Sequence, residues 1–509
     1  MTESSADVID PNADRARWRA FAVCVAVAAL TILDLSKVNV GLPSIEESLG
    51  ADSTALQIIV AGYALAFGLA LVPAGRLGDI FSRKTFFIIG LSLFTASSVL
   101  CALAPTIEVL LVARTLQGVA AGIQMPQVLG LIQELFQGKD RGRAFGLFGA
   151  TVGISTALGP TLGGLLIALG GAENGWRLLF WMNVPLGVLA LLFALRTLPK
   201  RKTTDRTPTQ LDPIGIVLLG VATFSLMLPF VLTTGGPDDD PARWLWLVLF
   251  LVAGLGFVLW ERRYQASGKS PVVHFSLFRQ SSYRNGLLVV TAYFGALPAL
   301  FLLSTLYLQQ GLGLEPVFAG MVTISFAVAS AVTSWLGGRL VDTYGRVLVI
   351  GGLISVIVGF VLVLLAATLL SAEASPWWMA AAMTVAGAGG GFVISPNQTL
   401  TLADIPVAEG GVAGSMTQVG QRVGTAIGVA AASSTFFSTL YREEGETMQL
   451  TSYHDGFRNG AIVSIALIVA ALVFALLDLR KRHHPEQVTE PAGFDPRRDG
   501  NGGLGDAVA

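Results

Sequence analysis

Apolar stretches of about 20 residues recur along the chain from Phe21 to Leu477, each parted from the next by a short polar or glycine-rich turn. A helix rising 1.5 Å per residue crosses about 30 Å of hydrocarbon in about 20 residues, so each stretch is long enough to span a bilayer. Strands of a membrane barrel would be about half as long and would alternate apolar with polar residues, whereas a helix satisfies its own backbone in lipid. The pattern predicts fourteen spans, at about 20–42, 55–75, 85–104, 108–136, 144–170, 178–198, 213–233, 243–261, 285–308, 317–339, 347–370, 377–397, 411–440 and 457–479. The expected fold class is an all-α integral membrane protein.

Composition agrees. Of 509 residues, 53% are hydrophobic, only 13% are charged and 58 are glycine, against about one-quarter charged in an ordinary soluble protein. Cys24 and Cys101 fall inside apolar runs and read as buried small hydrophobes. His274, His454, His483 and His484 are scattered, so no metal site is expected. Met1 to Asp14 is polar and acidic and the first apolar run is too long for a cleavable signal, so the first span is expected to stay.

Charge placement orients the spans. With the N-terminus inside, the inner segments collect most of the basic residues, among them Arg83, Lys84, Lys139, Arg141, Arg143, Lys200, Arg201, Arg262, Arg263, Arg346 and Lys481. The outer segments hold Arg177, Arg243, Arg442 and Arg458 beside the acidic clusters Asp238 to Asp240 and Glu443 to Glu446. The positive-inside rule then places both termini in the cytoplasm. High glycine content and the lack of disulfides fit a bacterial inner membrane.

An internal repeat organises the spans. GRLGDIFSRK (Gly75 to Lys84) follows the second span and GRLVDTYGRV (Gly338 to Val347) follows the tenth. Two six-helix pseudo-repeat bundles are expected, at about 20–198 and 285–479, with the spans near 213–233 and 243–261 as two inserted helices in the segment 199–284. The tail 1–19, the linker from Pro199 to Asp212 and the tail 480–509 read as solvated segments. In the repeated loop, small residues let two helices turn closely. An aspartate there can bond the N-terminal end of a neighbouring helix and a following basic residue. Gly75, Asp79 and Arg83, and in the second copy Gly338, Asp342 and Arg346, are therefore candidate gate residues.

These motifs carry a resemblance. GRLGDIFSRK resembles the loop signature of the major facilitator superfamily, although Ser82 stands where the family usually has glycine. LVARTLQG (Leu111 to Gly118) resembles its fourth-helix arginine motif, and GISTALGPTLGG (Gly153 to Gly164) its fifth-helix antiporter motif. LDLSKVNVGLP (Leu33 to Pro43) and WRLLFWMNVPLG (Trp176 to Gly187) resemble the fourteen-span drug:proton antiporter branch, with Ser36 where threonine is usual and Lys37 where an apolar residue is usual. The resemblance covers about Arg19 to Arg480. It implies that Asp34 and Arg114 face a central cavity, and that Gly153, Gly159, Pro160, Gly163 and Gly164 control leak and direction.

Depth arithmetic reaches the same pair independently. Asp34 lies about 13 residues, roughly 20 Å, from the inner end of its span, and Arg114 about six residues, roughly 10 Å, from the outer end of a helix running the other way. In about 30 Å of hydrocarbon the two depths coincide. Asp34 and Lys37 are spaced i, i+3 and share a helix face. Two readings follow: a permanent ion pair that fixes the first helix, or a proton carrier at Asp34 whose affinity Lys37 and Arg114 set. Arg422 lies about 11 residues, roughly 17 Å, into the thirteenth span without an evident acid partner. Asn39, Gln117, Gln124, Asn397, Gln418 and Gln421, with Arg422, are candidate linings of a substrate cavity, each with helix-to-helix bonding as the alternative. Tyr63, Phe67, Tyr293 and Phe294 could stack on a planar substrate or simply pack.

No ATP-binding loop, catalytic nucleophile or cofactor constellation is present in the sequence. No enzymatic activity and no cofactor are expected, the proton gradient being the energy source. The expected partners are a small-molecule substrate, protons and the lipid bilayer, with no nucleic acid, and the chain is expected to be monomeric. The expected function is export of small amphiphilic drugs, dyes or toxic metabolites in exchange for protons. An exporter of an anionic metabolite or self-made antibiotic, using Lys37, Arg114 and Arg422, is the alternative. A receptor or scaffold is a third possibility, disfavoured by the duplicated gate loop.

Overall fold

A computed structural model describes residues 11–51, 53–199, 211–233, 239–442 and 450–483. The linker residues 200–210, Asp238, residues 443–446 and the two tails fall largely or wholly outside these. Among the described residues, fourteen helices are long and apolar enough to cross a membrane. The first bundle comprises α1 (Pro11–Leu49), α2 (Ser53–Ile80), α3 (Arg83–Ala102), α4 (Ile107–Leu135), α5 (Gly138–Trp181) and α6 (Asn183–Thr197). Then come the inserted helices α7 (Pro213–Val231) and α8 (Trp246–Ala266). The second bundle comprises α9 (Ser281–Leu306), α10 (Pro316–Tyr344), α11 (Arg346–Leu369), α12 (Ser375–Thr401), α13 (Gly410–Arg442) and α14 (Leu450–His483).

The helices outrun the apolar stretches that announced them. α1 starts nine residues before the expected span and α14 seven before it, because helical hydrogen bonding continues where hydropathy falls. The fifth and sixth spans divide at Gly171, whose φ of 78° breaks the helical run inside α5, so the sixth span begins at Glu173 rather than near 178. Local chemistry fixes other boundaries. Ser82, in the position where glycine is usual, caps α3 by accepting from the Thr85 N–H at 3.3 Å. Asp212 caps α7 by accepting from the Gly215 N–H at 2.9 Å, with Pro213 at the first helical position.

Each bundle has its own apolar core: Phe87, Phe94 and Phe136 in the first, Phe360, Phe436 and Phe457 in the second. Leu251, Val252 and Leu255 of α8 and Ile354 and Val358 of α11 point outward, as a lipid-facing surface requires. The bundles meet along two seams, α2 against α13 and α5 against α10. The inserted pair is attached to both bundles, since α7 packs on α2 and on α13.

Candidate functional site

α1, α3, α4 and α6 bring six side chains together inside the first bundle, five of them in a closed ring. Arg114 donates through Nη1 to Asp34 Oδ2 at 2.7 Å and to Gln117 Oε1 at 2.7 Å. Gln117 Nε2 donates to Ser98 Oγ at 2.8 Å. Asn183 Nδ2 donates to the same Ser98 Oγ at 3.2 Å and to Asp34 Oδ1 at 2.7 Å, which closes the circuit. Lys37 joins from the side: its Nζ donates to Asn183 Oδ1 at 2.5 Å and stands 3.7 Å from Asp34 Oδ1. Asp34, Lys37, Ser98, Gln117 and Asn183 are fully buried and Arg114 nearly so. Three charges withdrawn from water are tolerated because the carboxylate lies between the two cations and their hydrogen-bonding positions are largely filled.

A second feature leads from this ring toward the other bundle. The Arg114 guanidinium lies 4.3 Å from the Tyr63 ring centroid, Tyr63 meets Phe67 edge-on at 6.0 Å, and Arg422 of α13 lies 4.4 Å from the Phe67 centroid. Cation–π contacts of this kind contribute about 0.5–2 kcal/mol each. Two residues of α2 thus connect the arginine of one bundle to that of the other. Arg422 is half-buried, and its buried Nε has no hydrogen-bond partner among the described residues.

The remaining candidates divide. Gln418 is buried and Gln421 half-buried on α13, and Asn39 is exposed on α1. Gln117 belongs to the ring, bonding from helix to helix, and Gln124 is buried with its Nε2 donating to Thr31 Oγ1 at 2.7 Å. Asn397 is buried in the second bundle. It accepts from Arg346 and donates to the Gly286 carbonyl at 3.0 Å. Tyr293 is buried and meets Phe294 edge-on at 5.6 Å.

The two copies of the loop repeat do different work. In the first, Asp79 accepts from the Gly411 and Val412 N–H groups at 3.1 and 3.0 Å, where the positive end of the α13 dipole favours a carboxylate. Arg83 donates to Asp79 at 2.8 Å, to the Gly130 carbonyl at 2.6 Å, to Glu134 at 3.2 Å and to the Val407 carbonyl. Gly75 lies so close that a Cβ would stand 2.7 Å from the Gly411 carbonyl oxygen. In the second copy Gly338 packs against Gly146 of α5, but Asp342 is exposed. Arg346, expected at a gate, is instead bound at 2.6 Å to Asp478 of α14, fully buried within its own bundle. A partner 132 residues downstream takes the place of the local aspartate.

α5 changes neighbours along its length. Gly142 and Gly146 abut α10, and Gly153 is in ordinary contact with Ala327 and Ala331. Beyond these, Gly159 faces Ser36, and a Cβ on Gly163 would stand 3.0 Å from the Lys37 carbonyl oxygen. Gly164 faces open space, and Pro160 between them is half-buried. The antiporter-like motif therefore forms the wall directly behind the residue that sits beside Asp34.

Sequence reasoning missed Asn183 and Ser98. Asn183 was visible as the one amide in the apolar run of WRLLFWMNVPLG. Ser98 carried no signal, because a serine in a membrane helix ordinarily bonds its own backbone, as Ser98 also does to the Phe94 carbonyl at 2.8 Å.

Two pseudo-equivalent helical bundles, the first enclosing a charged site in its spans, define a secondary transporter. The chain belongs to the Major Facilitator Superfamily, whose model matches residues 24–429. It is 34% identical over 429 residues, 83% of this chain and 73% of the relative, to the probable actinorhodin transporter of Streptomyces coelicolor. It is 33% identical over 499 residues, 95% of this chain and 96% of the relative, to puromycin resistance protein pur8 of Streptomyces alboniger. Multidrug resistance protein Stp of Mycobacterium tuberculosis is 30% identical over 416 residues, 81% of this chain and 74% of that protein. Among solved structures, the proton:xylose symporter XylE shares the fold with a TM-score of 0.63 at 16% identity, covering 92% of this chain and 96% of that one. The human organic anion transporter MFSD10 does so with a TM-score of 0.62 at 15% identity, over 89% and 99%.

Proposed function

We propose that this transporter exports small amphiphilic compounds in exchange for protons by alternating access, with Asp34 as the proton carrier. The single observation that carries the reading is the sealed cluster of Asp34, Lys37 and Arg114. Ionised, the three hold one net positive charge; a proton on Asp34 leaves two cations in a dry pocket with no anion. Each uncompensated buried charge costs several kcal/mol, so protonation cannot occur without the pocket admitting water or a helix moving. That is the physical content of coupling: the proton's arrival and the rearrangement are one event.

The gate fits this cycle. The contacts at Gly75, Asp79, Arg83 and Gly338 gather at the end where α1 begins and α14 finishes. With both termini in the cytoplasm of a bacterial cell, those contacts close the inner end. The resistance proteins and the antibiotic transporter among its relatives support export rather than uptake. The energy source in this reading is the proton gradient alone, the working unit is one chain, and no chemical step on the substrate is involved.

A second reading has one observation in its favour: the unpartnered Nε of Arg422, stacked on Phe67, suits a substrate with an anionic group on a planar ring. Purified protein in vesicles under an imposed pH gradient tests both. Gradient-driven movement of a cationic dye is the expected result; movement of an aromatic anion alone favours the second reading, and movement of neither refutes the proposal.

A further inference from the structure

Among the described residues, Asn183 is the one neighbour in hydrogen-bonding contact with Asp34 that has both a donor and an acceptor. The other groups around the carboxylate are Arg114 from α4 and Lys37 from α1, which can only donate. Of the remaining titratable groups facing it, Cys101 from α3 is engaged with Gln117 at 3.7 Å. Tyr63 from α2 has a hydroxyl without a hydrogen-bond partner, hence beyond bonding distance of Asp34. The amide orientation of Asn183 is fixed by chemistry. Lys37 must meet its Oδ1, so its Nδ2 must meet Asp34.

We propose that Asn183 is a positioning residue that converts the protonation of Asp34 into the release of Lys37. This rests on the reading of Asp34 as proton carrier. A proton bonding to Asp34 Oδ1 turns that oxygen into a donor aimed at the Asn183 N–H, and two donors face each other. Turning the amide by half a revolution presents Oδ1 to the new hydroxyl and relieves the conflict. The same turn points Nδ2 at the Lys37 ammonium and breaks the bond that held it. Lys37, its acceptor gone and its carboxylate neutralised, leaves the pocket. Because its backbone abuts Gly163, its departure is felt along α5, the helix that forms a seam with the other bundle. When Asp34 gives up its proton the amide returns and Lys37 is recaptured.

The test is the pH profile of transport in reconstituted wild type, Asn183→Ala, Lys37→Met and the double variant. Each single change removes a donor or a cation that favours the ionised carboxylate, so each moves the half-maximal pH upward by about one unit. The double variant moves it by less than the sum of the two, because Asn183→Ala already removes the acceptor that holds Lys37 beside Asp34. A rate loss in Asn183→Ala with the half-maximal pH unmoved, or shifts that add, overturns the proposal. So does a shift in Tyr63→Phe equal to that of Asn183→Ala, which would make the phenol the acceptor. Asn183→Asp, which keeps an acceptor for Lys37 and has no N–H for Asp34, is expected to hold Lys37 in place and stop transport at every pH; transport at the wild-type rate contradicts the inference. A wild type with no pH dependence, or one unchanged by Asp34→Asn, refutes the proton-carrier reading itself. A pH dependence that Asp34→Asn removes but Asn183→Ala leaves unmoved refutes only the role given to Asn183.

Discussion

Arg114 Nη1 stands 2.7 Å from Asp34 Oδ2, with both side chains sealed from solvent. Removing the carboxylate leaves two cations in one dry pocket. Asp34→Asn is therefore expected to destabilise the protein by about 3–5 kcal/mol, and Arg114→Ala, which leaves Asp34 beside Lys37, by less. Thermal unfolding in detergent measures both; a loss in Asp34→Asn no larger than that in Arg114→Ala would contradict this charge accounting.

Asp79 holds the first amides of α13 and thereby fastens the α2–α13 seam. Hydrogen bonds to a charged group contribute about 1.5–3 kcal/mol. Asp79→Asn should therefore shift the population away from the closed gate by roughly tenfold to a hundredfold. Distances between spin labels at the gate ends of α2 and α13 read this as a longer component that grows; an unchanged distribution contradicts the assignment.

The inequality of the two repeat copies predicts an asymmetry. Arg346→Ala leaves Asp478 buried without the cation that pairs with it and should lower stability by about 3–5 kcal/mol, whereas Asp342→Asn, at an exposed position, should change it by less than about 0.5 kcal/mol. Equal effects in unfolding measurements would restore the symmetric gate that the repeat suggested.

Along α5, Gly159→Leu drives a side chain into Ser36, next to Lys37, while Gly164→Leu enters open space. Overpacking of this kind costs about 1–3 kcal/mol. Vesicles carrying Gly159→Leu should leak protons in the absence of substrate, and those carrying Gly164→Leu should behave as wild type. A leak as low as wild type in Gly159→Leu removes α5 from the coupling.

The depth of Asp34 and Arg114 was legible in the sequence because a helix rise turns residue count into ångströms, and two charges at one depth in lipid have little choice but each other. Gln117 was legible in part: it read as either cavity lining or a helix-to-helix bond, and its place three residues after Arg114 on the same face makes it a partner for the guanidinium. The role of Asn183 was hidden, since nothing local says which face of α6 turns toward α1. The Arg346 partner was hidden for the same reason: GRLVDTYGRV offers Asp342 four residues away, and only packing brings Asp478 from α14. Helix ends were the least legible feature, because hydropathy reports the width of the bilayer and not where hydrogen bonding stops.

The central claim is that proton binding at Asp34 is what substrate movement is exchanged for. The direct measurement is substrate-induced proton release, read as a pH change on adding a transported dye to purified wild type and to Asp34→Asn in weak buffer. The account predicts release by wild type and none by Asp34→Asn, with dye binding retained by both. Equal release from the two proteins would contradict it.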